Sequence, residues 1–271
     1  MVDVTSASHH VQDATYFDLP FGVRIDIPPL HIFGYQFTVT KFMVLELIVA
    51  LLMIAIFVPL ARRIADGRPA RGRFWNIFEL VLVFVRDEMA RPAIGRHDAD
   101  RFLPYLWTAF FFVLLCNLIG LVPWTGSPTG SLAVTGTLAA VAFCMTVGSG
   151  MRKLGPVGYF AGQVPHMDLP VVLAVFLKPM ILGIEIIGVV IKHGVLAVRL
   201  LANMFAGHLV LAVVLGFIAA TAQSMLWYGV MPASVGGALA LNFLELLVAF
   251  LQAYIFTFLS ALFIGMAMHP H

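Results

Sequence analysis

Apolar residues in this chain fall into five runs long enough to cross a bilayer, which takes about 20 residues. The first extends from about Phe42 to Leu60 and ends at Arg62 and Arg63. The second, Phe102 to Val122, follows the charged stretch RPAIGRHDADR and stops at Pro123. The third, Leu132 to Gly150, begins after the turn sequence WTGSPTG and ends at Arg152 and Lys153. The fourth covers about Leu169 to Ala222 and the fifth about Val235 to Met268. Between the first two lies GRFWNIFELVLVFVRDEMARP, about 72–92, whose apolar core Leu80–Val85 is too short to span. It reads as an amphipathic helix at the membrane surface, anchored by Phe74 and Trp75. A short buried helix is the competing reading.

The last two runs exceed what a perpendicular crossing needs. With Met180 to Ala219 helical, about 40 residues give about 60 Å, twice the roughly 30 Å hydrocarbon core. The fifth run, about 34 residues, gives about 50 Å by the same rise. No proline interrupts the fourth run after Pro179. Such helices tilt, bend or run partly along the membrane plane; perpendicular helices with frayed ends are the alternative. The loop TAQSMLWYGVMPASVGG is expected to join them as an outside hairpin turn. The fold expected is therefore an all-α integral membrane protein. It has three roughly perpendicular transmembrane helices, one interfacial amphipathic helix, and a C-terminal pair of long, strongly tilted antiparallel helices. Residues 1–40, polar, turn-rich and without a basic stretch leading into an apolar one, read as an external segment with no cleavable signal. Residues 41–271 read as a single membrane domain, with the long helical hairpin at about 169–268.

Composition agrees: of 271 residues 61% are hydrophobic and 11% charged, with a mean hydropathy of +0.97, against about 25% charged in soluble domains. The net charge of +2 is too small to suggest a nucleic-acid partner. Nine of the sixteen basic residues lie between Arg62 and Arg101, which puts that connection in the cytoplasm. Arg152 and Lys153, two crossings later, fall on the same side. Five crossings then place the N-terminus outside and the C-terminus inside. Cys116 and Cys144 sit inside apolar runs without metal-ligand spacing and read as packing residues. GxxxxGK[ST], HExxH and serine-nucleophile patterns are absent, so no metal or cofactor is expected.

From Leu169 onward only Lys178, Glu185, Lys192, Arg199 and Glu245 are charged, and most lie at bilayer depth. Each such charge costs about 2.5–3.5 kcal/mol on insertion scales, so several together imply a task. Glu185, Lys192 and Arg199 are seven residues apart and Asn203 follows four later. At about 3.6 residues per turn they form one polar stripe. His208 lies about half a turn round from Arg199 and about 13 Å further along. In the fifth run Glu245 and Gln252, also seven apart, share a face. If the two helices are antiparallel, His208 and Glu245 lie at comparable distances from the turn. An acid and a histidine there make a proton-passing pair. Arg199 keeps its proton and is a fixed cation. Glu185 and Lys192 are open to a second reading, mutual neutralisation that holds helices together. Arg199 has no acid three or four residues away, so its counter-charge must come from another helix or subunit. Lys178, His166 and Asp168 are expected at the cytoplasmic interface; His97, His9, His10 and His31 are expected to be solvated.

The string VRLLANMFAGHLVL, with Arg199, Asn203, Ala206, Gly207 and His208, closely resembles subunit a of F-type ATP synthases. LQAYIF with Gln252, and NLIGLVP followed by SPT around Asn117 to Thr129, match two further family elements in the same order. The resemblance implies a stator subunit beside a rotating ring of c-subunits, each with one mid-membrane carboxylate. It implies partnership with the c-ring, b-type peripheral stalk subunits and the rest of the F-type ATP synthase, in lipid. Arg199 would face the ring carboxylate between two offset aqueous half-channels. His208 and Glu245 would line the outer one and Glu185 the inner one, with Asn203 and Gln252 as polar neighbours of the arginine. The implied location is a bacterial inner membrane in preference to a mitochondrial one. Two departures stand out: His208 and Glu245 are exchanged relative to many bacterial members, and Lys192-His193 replaces a common Lys-Pro. The rival from another class is a stand-alone ion-coupled secondary transporter, but the chain carries no convincing repeat between its halves.

Overall fold

The computed structural model describes residues 14, 16–18, 24–27, 30–32, 35–64, 72–122, 125–163, 171–222 and 224–269. The expectations made for His9, His10, His166 and Asp168 fall outside them. Among the described residues the membrane region is helical, with five helices long and apolar enough to span. These are α1 (Lys41–Ile64), α4 (Ala99–Gly120), α5 (Leu132–Gly162), α6 (Val171–Thr221) and α7 (Trp227–Met268). Between α1 and α4 come α2 (Arg73–Phe84), a π-helical turn (Val85–Ala90) and the short α3 (Arg91–Ile94).

Four differences from the sequence reading have local causes. The N-terminal segment contains two small antiparallel hairpins, β1 (Tyr16–Asp18) with β2 (Arg24–Asp26) and β3 (Leu30–Ile32) with β4 (Tyr35–Phe37). Aromatic and β-branched residues in runs this short are hard to read from periodicity. The third helix does not stop at the basic pair but continues to Gly162, broken at Gly155 (φ 75°, ψ 161°). Pro156 follows and has no N–H to donate, so the chain swings through a glycine conformation that other residues rarely adopt. The fifth helix starts at Trp227 rather than near Val235, which shrinks the connecting loop to a few residues. Pro232 and the Gly236-Gly237 pair look like loop residues but are taken up into its first turns. Within the segment 72–92, Arg73–Phe84 buries none of its residues, whereas Val85, Met89 and Ala90 in the π turn are buried.

α6 has 51 residues and α7 has 42, contour lengths of about 75 and about 63 Å at the usual helical rise. Both far exceed a hydrocarbon core of about 30 Å.

The chain forms two compact units, each assembled from three separate stretches. The first comprises Met1–Asp66, Phe111–Thr135 and Arg199–Ala253. In it Phe57 of α1 meets Phe111 of α4 with ring centroids 4.5 Å apart. A buried polar cluster fixes the turn after α4: Thr129 donates to Asn117 Oδ1 at 2.8 Å, which leaves Ser127 Oγ to donate to Thr129 Oγ1 at 2.7 Å. Gly120 belongs to the same arrangement, because a methyl group there would collide with Ser127 and with Met204 of α6. The NLIG and SPT elements are thus a packing device where two segments approach closely; it pairs Asn117 Oδ1 but leaves the buried Asn117 Nδ2 without a partner among the described residues.

The second unit comprises Gly67–Phe110, Gly136–Val198 and Tyr254–His271. The indole of Trp107 donates to Leu82 O at 3.0 Å, just before the π turn, tying α4 to α2. Gly265 of α7 lies against Ala93 O of α3, close enough that any side chain would collide. Lys153 donates to Asp98 Oδ2 at 2.6 Å and meets His269 Nε2 at 3.2 Å, joining the ends of α4, α5 and α7. His97 is exposed, as expected.

Candidate proton-pathway site

Arg199, Asn203 and His208 of α6 and Glu245 and Gln252 of α7 all belong to the first unit. Two close approaches set the register there. A methyl group at Gly207 would collide with the Glu245 carboxylate, and one at Gly237 would sit 3.7 Å from Val214 Cγ1. Position numbers fall along one helix as they rise along the other, so the segments run antiparallel. The same register puts Arg199 level with Gln252. The buried Gln252 is only 4% exposed.

The arginine itself is half-buried and makes no hydrogen bond or ion pair among the described residues. That is uncommon in an apolar helix, where an unpaired charge carries a heavy desolvation cost. Among the described residues no acid of its own chain neutralises it. His208 is half-buried, and its Nε2 is buried without a hydrogen-bond partner among the described residues. The Glu245 carboxylate rests on the backbone at Gly207, one residue from His208, and likewise makes no ion pair there. His208 and Glu245 therefore come to one level without bonding to each other. Glycine at 207 is what lets a carboxylate approach α6 so closely.

Glu185 and Lys192 lie in the second unit and line one cavity of about 210 Å³ with Thr146, Tyr159, Gln163 and His193. They form no ion pair with each other among the described residues, so mutual neutralisation does not describe them. Lys192 and Lys178 are exposed, and Glu185 is half-buried. Cys116 is buried and Cys144 exposed, and both are free thiols.

Several polar residues escaped the sequence reading. Lys41, the first residue of α1, is buried, and the half-buried Glu46 follows within the apolar part of that helix. Both interrupt the run KFMVLELIV, a signal that was available. His193 entered only as a departure from a common proline, although it is 3% exposed and bonded at both ring nitrogens. Thr146, Tyr159 and Gln163 gave no signal, since a hydroxyl or amide in a helix says nothing of what it faces.

Residues 43–265 match the family model described as ATP synthase A chain. The chain belongs to that family. It is 39% identical over 265 residues to ATP synthase subunit a of Chloroherpeton thalassium, covering 96% of this chain and 76% of the relative. It is 40% identical over 249 residues to ATP synthase subunit a of Myxococcus xanthus, covering 91% of this chain and 79% of the relative. A family of ATP synthase subunits agrees with the five apolar helices: this is a membrane component of a larger ATP synthase assembly.

Proposed function

We propose that this chain is the proton-translocating stator subunit of the Fo sector, in which Arg199 faces the carboxylate of a passing c-ring subunit. The observation that carries the reading is the half-buried arginine with no partner among the described residues of its own chain. A guanidinium keeps its proton at any working pH, so it cannot relay one. It can favour the ionised ring carboxylate as that group passes and repel a free proton from the same place. Each elementary charge moved through 100 mV is worth about 2.3 kcal/mol, so leakage past this point would uncouple transport from rotation.

In this reading His208 and Glu245 line the half-channel open to the outside and Glu185 the one open to the cytoplasm. Asn203 and Gln252 are polar neighbours of the arginine. The unpartnered Nε2 of His208 supports a wetted position, because buried polar atoms in native proteins find a partner and water is the one available. The long C-terminal helices lie strongly tilted against the ring, three shorter ones cross more steeply, and α2 lies at the surface. Residues 41–271 act as one membrane domain. The basic connection 62–101 faces the cytoplasm of a bacterium, the N-terminus faces outward, and the b-type stalk subunits hold the chain against rotation.

The test is ATP-driven proton uptake by vesicles carrying the whole complex. Arg199→Ala abolishes pumping while the subunits still purify together; wild-type pumping by that variant ends the assignment. The isolated chain in liposomes moves no substrate, which separates this reading from a stand-alone transporter.

A further inference from the structure

The cavity beside Glu185 contains an imidazole whose hydrogen bonds are complete in either protonation state. His193 Nδ1 lies 2.8 Å from the carbonyl oxygen of Val189, which can only accept, so Nδ1 carries a hydrogen. Its Nε2 lies 3.1 Å from Thr146 Oγ1, and that hydroxyl lies 2.9 Å from Ala142 O. One hydroxyl proton serves two possible acceptors. With neutral His193, Thr146 donates to Nε2. With charged His193, Nε2–H donates to Thr146 and the hydroxyl turns to Ala142 O. Changing the charge thus takes the rotation of one hydroxyl and no movement of heavier atoms. The rings of Phe143 and Phe263 pack against it, with centroids 5.5 and 5.0 Å from the imidazole.

We propose that His193 is a reversible proton-binding site on the path served by Glu185, loaded and unloaded through the hydroxyl of Thr146. The proposal rests on the assignment of Glu185 to one half-channel. Glu185 and His193 are eight residues apart on α6, about 12 Å along the axis, so direct transfer is excluded. Both, with Thr146, line the same cavity of about 210 Å³, room for about seven waters at roughly 30 Å³ each. A proton arriving through that water adds to Thr146 Oγ1 as the hydroxyl's own proton passes to Nε2. One proton enters, none leaves, and the charge appears on the imidazole; release reverses the step. The other titratable or charged groups facing this cavity are Tyr159 from α5, Glu185 and Lys192 from α6, and His269 beyond α7. His269 is already engaged by Lys153.

The experiment is the pH dependence of ATP-driven proton transport by the whole complex in vesicles, with pH varied on the Glu185 side. His193→Gln keeps a donor for Val189 O and an acceptor for Thr146 but cannot take a proton. It is expected to slow transport about tenfold or more and to remove one titration from the profile, with assembly intact. Thr146→Val leaves the imidazolium without its acceptor, so the profile shifts to lower pH, since charge-assisted bonds are the stronger ones. A wild-type rate and profile in His193→Gln overturns the proposal. If that variant fails to assemble, Thr146→Val decides, and an unshifted profile there overturns it equally. Arg199→Ala is run beside them. Full pumping in that variant removes the underlying assignment, whereas loss of pumping with unchanged His193→Gln and Thr146→Val profiles removes this inference alone.

Discussion

Two histidines fifteen residues apart on α6 have opposite surroundings. His193 is closed in by its own chain, with both ring nitrogens bonded and two phenylalanine rings packed against it. His208 has a buried Nε2 that finds nothing among the described residues. Its near neighbour across the helix pair, the Glu245 carboxylate, is equally without an ion pair there. Buried polar atoms left unpaired cost about 1–3 kcal/mol each. Under the function proposed above, water and a neighbouring subunit complete this region, with Arg199 beside it in sequence. Where the imidazole is satisfied, the chain has built a site that needs only a proton.

The sharpest way to break this comparison is to alter the unsatisfied region. Glu245→Gln is expected to lower ATP-driven proton transport by about a hundredfold, within the range for loss of a proton-transferring group. Exchanging His208 and Glu245 together should recover at least about tenfold of that loss. A double exchange no better than the single change would show that the two groups do not act as a pair.

A smaller effect is expected from packing alone. Gly207→Ala pushes the Glu245 carboxylate, the flexible end of its side chain, off the face of α6. Transport should fall severalfold, whereas Gly237→Ala, whose added methyl would make only an ordinary contact with Val214, should leave it unchanged. Equal rates in the two variants would mean that the close approach at 207 has no functional weight.

The smallest effect lies outside the membrane spans. The Lys153 ammonium, hydrogen-bonded to Asp98, holds that carboxyl below the ordinary carboxylate range. A carboxyl whose value is depressed by folding stabilises the fold above its unfolded value, about 4. That contribution is lost as pH falls through the lower folded value. Asp98→Asn should therefore slightly lower the thermal midpoint at neutral pH and make the acid limb of the stability curve shallower. A midpoint unchanged at pH 7 and in acid would show that this exposed pair contributes nothing, a common outcome for surface ion pairs.

Sequence alone determined the membrane class, the five spanning runs and the family, because hydropathy and charge spacing are local properties that a bilayer reads one segment at a time. It also singled out Arg199, His208 and Glu245, since a charge inside an apolar helix is conspicuous without any knowledge of its surroundings. Tertiary structure decided what each charge meets. Only the packing shows that Glu245 rests on Gly207, that Asn117 and Thr129 form a buried clasp, and that Thr146 reaches His193 from another helix. Helix boundaries followed the same division. Pro232 and the glycine pair of α7 carry the local signature of a loop, yet that stretch is helical and Gly237 lies close to Val214 of α6. Which face of a helix finds a partner depends on residues far away in the chain, and no local pattern encodes that distance.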